Sequence, residues 1–329
     1  MLLHSTGLPA SIRQFLNQPL CLIPGFVILL LGLWPALTTG AQSTDNPPRE
    51  DPRVISFDLS VFDKSGRSVD TLTTKDFQVL EDNVPQTISF LKFEKSVPIS
   101  LGILVDIGRS MGTGGTNLAL GWVKFLAQKM KSPDELFVNS FSNDSQEVID
   151  YISPEDYLDD PIEKLGAGGQ SRTGYAVDLA LIKLRDSRNS KRGLLMISPG
   201  RDIAGRATLE HIAKSRLPVY ALGIGGTEGF GGIIDRLKSI NVRGSALSLY
   251  ADQSGGSVAF VDSPLAGEQW LEKFYSDFRN QYRLEYHSTN SKRDGKLRKI
   301  EVRVADPEYS VRSLHKYQGP YGPNRTPRR

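Results

Sequence analysis

Cysteine is nearly missing from this chain of 329 residues: the one present, Cys21, leaves no intrachain disulfide possible and says nothing about the compartment. A surplus of either charge is also missing. The formal net charge is only +3, which gives no electrostatic footing for a nucleic-acid binder. There is no Gly-Lys-Ser/Thr run for a P-loop, and the glycine-rich turn at Gly112, Gly114 and Gly115 has Asn117 in the third glycine slot of G-x-G-x-x-G, so nucleotide binding lacks its fingerprint. What is there is ordinary for a globular protein, 39% hydrophobic and 23% charged, in a chain long enough for a sizeable core and two domains.

The compartment is read from the N-terminus. Leu20 to Leu37 is an unbroken apolar run, followed by the small residues Thr39-Gly40-Ala41 and the polar stretch QSTDNPPREDP. This pattern predicts a signal peptide over 1–41 and a linker over 42–52, and hence an extracytoplasmic protein: periplasmic, cell-surface or secreted. Arg13 is the only basic side chain before the run, and Cys21 begins it instead of ending it, which argues against a lipoprotein. Left uncleaved, the run is just long enough to cross a bilayer, and membrane contact is expected only in that case.

Period-two patterning appears at both ends of the remainder. Over 53–96, Val54 to Phe62, FQVLE and TISFLKF read as strands separated by the turns Asp63-Lys64-Ser65-Gly66 and Asp82-Asn83-Val84-Pro85, with Thr73 as N-cap of a single helical turn. Over 281–318, Tyr282 to Tyr286, Arg298 to Ala305 and Tyr309 to Leu314 repeat the pattern, with Asp294-Gly295 as the first turn. Neither flank has enough strands to bury a core alone, so the two are expected to pair into one β-sandwich. A disordered basic tail is expected over 319–329.

Between the flanks, 97–280 alternates. Strands are expected at Ile99 to Val105, Leu136 to Ser142, Gly193 to Ser198, Val219 to Gly223 and Ser257 to Val261. Helices are expected after the first glycine-rich loop, at Pro154 to Lys164, at Thr173 to Leu184 with Ala176, Leu179, Ala180 and Lys183 on one side, at Thr208 to Ser215, at Leu247 to Ser254 and at Leu265 to Arg279. Strands alternating with helices predict an α/β, Rossmann-like, doubly wound and mostly parallel sheet. Ligands in such sheets sit beyond the carboxyl ends of the strands, which draws attention to Asp106 at the end of the first apolar run.

Asp106, Gly108 and Ser110 occupy the slots of an Asp-x-Ser-x-Ser motif with the middle serine missing. On that loop the stretch resembles the first strand and metal loop of a von Willebrand factor A (vWA) domain. With DFQVLEDNVPQTISFLKFEK before it and YRLEYHSTNSKRDGKLRKIEVRV after it, the chain from about Val54 to Tyr317 resembles the VWFA-related family known from acidobacteria. The resemblance implies an exported binding module without catalytic activity. It also implies Mg²⁺ held by hydroxyl and carboxylate oxygens from three loops, with one coordination position left for an acidic residue of a partner protein or envelope ligand. Short oxygen side chains suit this hard, octahedral cation. Asp106 and Ser110 match the first loop, and Thr173 the second. In the third, ISPGRD puts Pro199 in the acidic slot, with Asp202 three residues on.

Losing two polar positions, Gly108 and Pro199, while gaining Arg109, Arg172, Arg201 and Arg206 in or beside the loops, opposes a divalent cation. The expectation is therefore a degenerate metal site, in which Arg201 or Arg172 replaces the cation by gripping a carboxylate bidentately, with Arg109 beside them. The alternative is a serine hydrolase: GRSMG matches G-x-S-x-G, with Ser110 as nucleophile. It would need His211, His287 or His315 as base, and Thr113-Gly114-Gly115 reads as delaying the helix that should open at once after such an elbow.

Overall fold

The computed structural model describes residues 51, 53–156, 168–224 and 245–322; the expected signal peptide and most of the expected linker lie outside them. The first flank folds as β1 (Val54–Phe62), β2 (Phe77–Glu81), β3 (Val84–Gln86) and β4 (Ile88–Glu94). The alternating region follows as β5 (Ile99–Asp106), α1 (Gly112–Lys129), β6 (Glu135–Phe141), β7 (Ser145–Ile152), α2 (Thr173–Lys183), β8 (Lys191–Ser198), α3 (Arg206–Ser215), β9 (Val219–Ile224), α4 (Ala246–Ser254), β10 (Val258–Val261) and α5 (Pro264–Arg279). The second flank supplies β11 (Gln281–His287), β12 (Leu297–Val304), β13 (Ser310–Ser313) and β14 (Lys316–Gln318).

Every residue of β5 is buried, as expected of a strand covered on both faces. It lies inside a six-stranded sheet of order β10-β9-β8-β5-β6-β7, parallel throughout except for β7. Ile99, Leu101, Ile103 and Val105 point to a core shared with α1 and α5, while Leu104 faces the core of α2, α3 and α4. Each such side chain taken fully from water contributes about 1.5–3 kcal/mol. The mixed α/β fold with helices on both faces is therefore the architecture observed.

The flanks interleave. One antiparallel sheet runs β13-β1-β11-β4, with strands from the two ends of the chain alternating, and the other runs β14-β12-β2-β3, where β12 pairs with β2 to join the two ends. Ile55, Phe57, Leu59 and Val61 with Tyr282, Leu284 and Tyr286 from the first sheet meet Phe77, Val79, Ile300 and Tyr317 from the second in one apolar core. This is the sandwich of the two flanks. The single turn after Thr73 is a 3₁₀ helix, Thr74–Asp76, in which the Asp76 carboxylate accepts bonds from Thr73 N and Oγ1 at 2.7 and 2.9 Å.

Several sequence expectations need correction. Asp82 and Asn83 alone form the turn, with φ of 48° and 68°, and Val84-Pro85 continues as β3. Positive φ at both central residues suits a two-residue hairpin, and Pro85 is tolerated because β3 is an edge. Asp294-Gly295 does turn the chain, but β11 and β12 belong to different sheets and form no hairpin. Strand β7 carried no clear expectation: it is an edge with mixed burial. Of Pro154 to Lys164, only a 3₁₀ turn at Pro154–Asp156 falls among the described residues. The buried side of α2 is Thr173, Ala176, Val177, Ala180 and Leu181, rotated away from Leu179 and Lys183. Of the tail expected over 319–329, the first residues are ordered, since Tyr321 bridges Asp294 and its ring lies against Gly295; 323–329 lie outside the described residues.

Candidate functional site

The chain leaves β5 through α1 to β6 on one side, then crosses back through α2 to β8 on the other, with α1 and α2 on opposite faces. The carboxyl ends of β5 and β8 thus form the point where strand order reverses, the place where open α/β sheets leave a crevice. A cleft of about 740 Å³ opens there, lined by Asp106, Arg109, Ser110, Asn143, Ser171, Thr173, Ser198, Arg201 and Asp202 among others.

Asp106 ends β5 fully buried and is held from three directions. Its Oδ1 accepts from Gly108 N at 2.7 Å and Ser171 Oγ at 2.6 Å, and its Oδ2 accepts from Ser198 Oγ at 2.7 Å. Burial pushes the carboxyl above its ordinary pKa; the three donors oppose that rise, and the Asp202 charge adds to it. Thr173 opens α2 with its backbone N donating to Asp202 Oδ2 at 3.0 Å. Asp202, three residues beyond the slot Pro199 fills, therefore reaches the cleft. The hydroxyls at 110 and 173 and the carboxylates at 106 and 202 are brought to one lining.

The arginines divide. Arg109 and Arg201 are exposed on the lining, and neither makes an ion pair among the described residues. Arg172 lies with its guanidinium 5.1 Å from the Tyr175 ring centroid and donates to Asn143 O at 3.4 Å, and Arg206 pairs with Glu210. Arg172 is beside the cleft and not among the residues that line it.

Ser171 and Ser198 were not expected as site residues. Ser171 is delivered by backbone register: Gly168 N donates to Ile107 O at 2.7 Å and Arg109 N to Gly169 O at 2.8 Å, clamping the loop before α2 against the loop after β5 on both sides of Gly108. A Cβ at position 108 would run into Ser171 Oγ and lie 2.9 Å from Asp106 Oδ1. Glycine at 108 and serine at 171 are therefore one arrangement. The signal that could have found it is the spacing of Ser171 two residues before Thr173, on the same loop.

Ser110 has no base beside it: among the described residues no histidine lines the cleft, and His211 pairs with Asp178 at 3.0 Å. One argument against an elbow does fall, because α1 opens at Gly112 without the expected delay. Gly115 N bonds Met111 O at 3.2 Å, and burial of Gly115, Thr116 and Ala119 fixes a helix that glycine propensity disfavours.

The fit of these residues to the divalent cation implied by the motif is tested at Thr173 Oγ1. It is buried and has no hydrogen-bond partner, an arrangement that costs about 1–3 kcal/mol unless something fills it. With two carboxylates close enough to repel, the donor set is oxygen-only and suits a hard cation.

No family model matches the chain, and no curated protein matches it. Among solved structures, it is similar to a von Willebrand factor type A protein from Catenulispora acidiphila at 10% identity and TM-score 0.45, over 75% of this chain and 74% of that one. It is also similar to the conserved hypothetical protein BatB from Bacteroides thetaiotaomicron, at 17% identity and TM-score 0.40, over 55% of this chain and 98% of that one. An aerotolerance-related membrane protein from Bacteroides fragilis is similar at 17% identity and TM-score 0.39, over 54% and 98%.

Proposed function

We propose that this chain is an exported vWA-type binding module of the VWFA-related kind, and that its cleft takes an acidic side chain of a protein partner at the cell envelope. The observation that carries the reading is the buried, unpaired hydroxyl of Thr173 beside the Asp106 and Asp202 carboxylates, at the crevice where strand order reverses. Asp106, Ser110, Thr173 and Asp202 are the residues that would hold Mg²⁺. When bound, the cation supplies a coordination position for a carboxylate oxygen of the partner. The chain's own residues prepare that step: Ser198 and Gly108 N fix the Asp106 carboxylate, and Asp202 fixes the start of α2. Arg109 and Arg201 add positive charge at the mouth and steer an acidic group inward.

A second reading has its own observation. Arg109 and Arg201 stand unpaired on the lining although two carboxylates share it, so a guanidinium is free to grip the partner's carboxylate without a metal. Capture of a partner from envelope extract, with wild type, Thr173→Ala and Arg201→Ala, each in Mg²⁺ and in chelator, tests both. Capture lost in chelator and in Thr173→Ala supports the cation; capture indifferent to chelator but lost in Arg201→Ala supports the guanidinium. A partner held equally by all three proteins in both conditions does not use this cleft, and the proposal fails.

A further inference from the structure

We infer that Ser171 supplies the oxygen that the missing serine at position 108 would have given, so that the cleft presents a complete ring of hydroxyl donors to a divalent cation by a different route. The inference rests on the cation reading above and concerns which residues of this chain complete the site.

Three observations converge on it. The volume that a side chain at 108 would enter is the volume Ser171 Oγ already fills. The Ser171 proton is committed to Asp106 Oδ1, so the lone pairs of its oxygen are what remains, and a cation needs only acceptors. Among the described residues nothing donates to Ser171 Oγ, whereas Ser198 Oγ, the other hydroxyl on Asp106, already accepts from Gly200 N at 3.1 Å. Ser198 is thereby a positioning group and Ser171 an open donor. Thr173 Oγ1, two residues along the same loop, is the second open oxygen.

Loop geometry explains why the substitution works. With Gly108 lacking a side chain, the loop before α2 approaches closely enough for two backbone hydrogen bonds to flank it. The hydroxyl then enters from the partner loop while the Asp106 carboxylate stays where it is.

The test is titration of the full chain with Mn²⁺, followed by calorimetry and by the electron paramagnetic signal of the free ion, on wild type, Ser171→Ala, Gly108→Ser and the double variant Gly108→Ser/Ser171→Gly. Thermal unfolding of each in chelator establishes that it is folded. Wild type is expected to bind, and Ser171→Ala to bind about 10–100-fold more weakly. Gly108→Ser alone weakens binding through its clash with Ser171. The folded double variant returns one hydroxyl to the same volume from the other loop; because its Cβ still lies 2.9 Å from Asp106 Oδ1, it is expected to recover part of the loss and bind more tightly than Ser171→Ala. Ser171→Thr, which keeps the hydroxyl, retains binding. Wild type that takes no Mn²⁺ at millimolar concentration overturns the cation reading and this inference together. Wild type that binds while Ser171→Ala binds equally well overturns the inference alone, as does a folded double variant no tighter than Ser171→Ala.

Discussion

At the scale of single residues, the cleft is organised by one buried carboxylate whose charge the fold does not favour. Asp106 is surrounded by donors, yet burial and Asp202 together push its pKa up, so in the absence of a ligand the site stores unfavourable electrostatics, as binding sites do. Two substitutions separate charge from hydrogen bonding. Asp106→Asn keeps an acceptor for Gly108 N and Ser171 Oγ and removes the charge, so in chelator at neutral pH it is expected to melt no lower than wild type while losing partner capture. Asp106→Ala strands three donors, Gly108 N, Ser171 Oγ and Ser198 Oγ, and should cost about 1–3 kcal/mol in chelator, read from denaturant midpoints. Asp106, Ser110 and Thr173 were legible because each stands at a motif position following a recognisable strand or opening a recognisable helix. Ser171 stands out less, because only its spacing from Thr173 marks it locally; what brings it to the site is its hydrogen bond to Asp106, 65 positions away.

At the scale of elements, the strands that proved legible are those with an unambiguous period: β5, buried throughout, and β1 with its alternating first half. Where two influences compete, local reading fails. The glycines at the start of α1 disfavour a helix, but packing of the helix against the sheet wins. Pro85 reads as turn, but an edge strand accommodates it. The same competition sets a prediction on α5. Gly267 lies in the first turn of α5, where alanine would ordinarily gain up to about 1 kcal/mol. Its position faces Trp122 of α1, which is buried and donates Nε1–H to Pro264 O at 3.0 Å, and a Cβ there would run into the indole. Overpacking of this kind costs about 1–3 kcal/mol and outweighs propensity, so Gly267→Ala is expected to lower the denaturant midpoint.

At the scale of the whole molecule, the interleaved flanks make the sandwich depend on both ends of the chain, and the central sheet meets it through a buried charge. Lys191, first residue of β8, is 1% exposed with its ammonium 3.0 Å from Asp58 Oδ2 of β1, and Arg283 of β11 holds Asp58 Oδ1 at 2.7 Å. Burial lowers the Lys191 pKa, against the opposing pull of Asp58. The folded state therefore releases this proton more readily than the unfolded chain, and its contribution to stability rises as pH climbs through the lowered value toward about 10.4. The pair is asymmetric. Lys191→Met leaves Asp58 with Arg283 and replaces a desolvated charge by an apolar side chain, which is expected to be neutral or stabilising and to flatten the alkaline rise. Asp58→Ala leaves the ammonium buried without its carboxylate, a loss of about 3–5 kcal/mol. Denaturant unfolding of both variants between about pH 7 and 10 measures the asymmetry. Equal losses at every pH would mean that the contact acts by packing alone, and that charge does not join the two parts of this molecule.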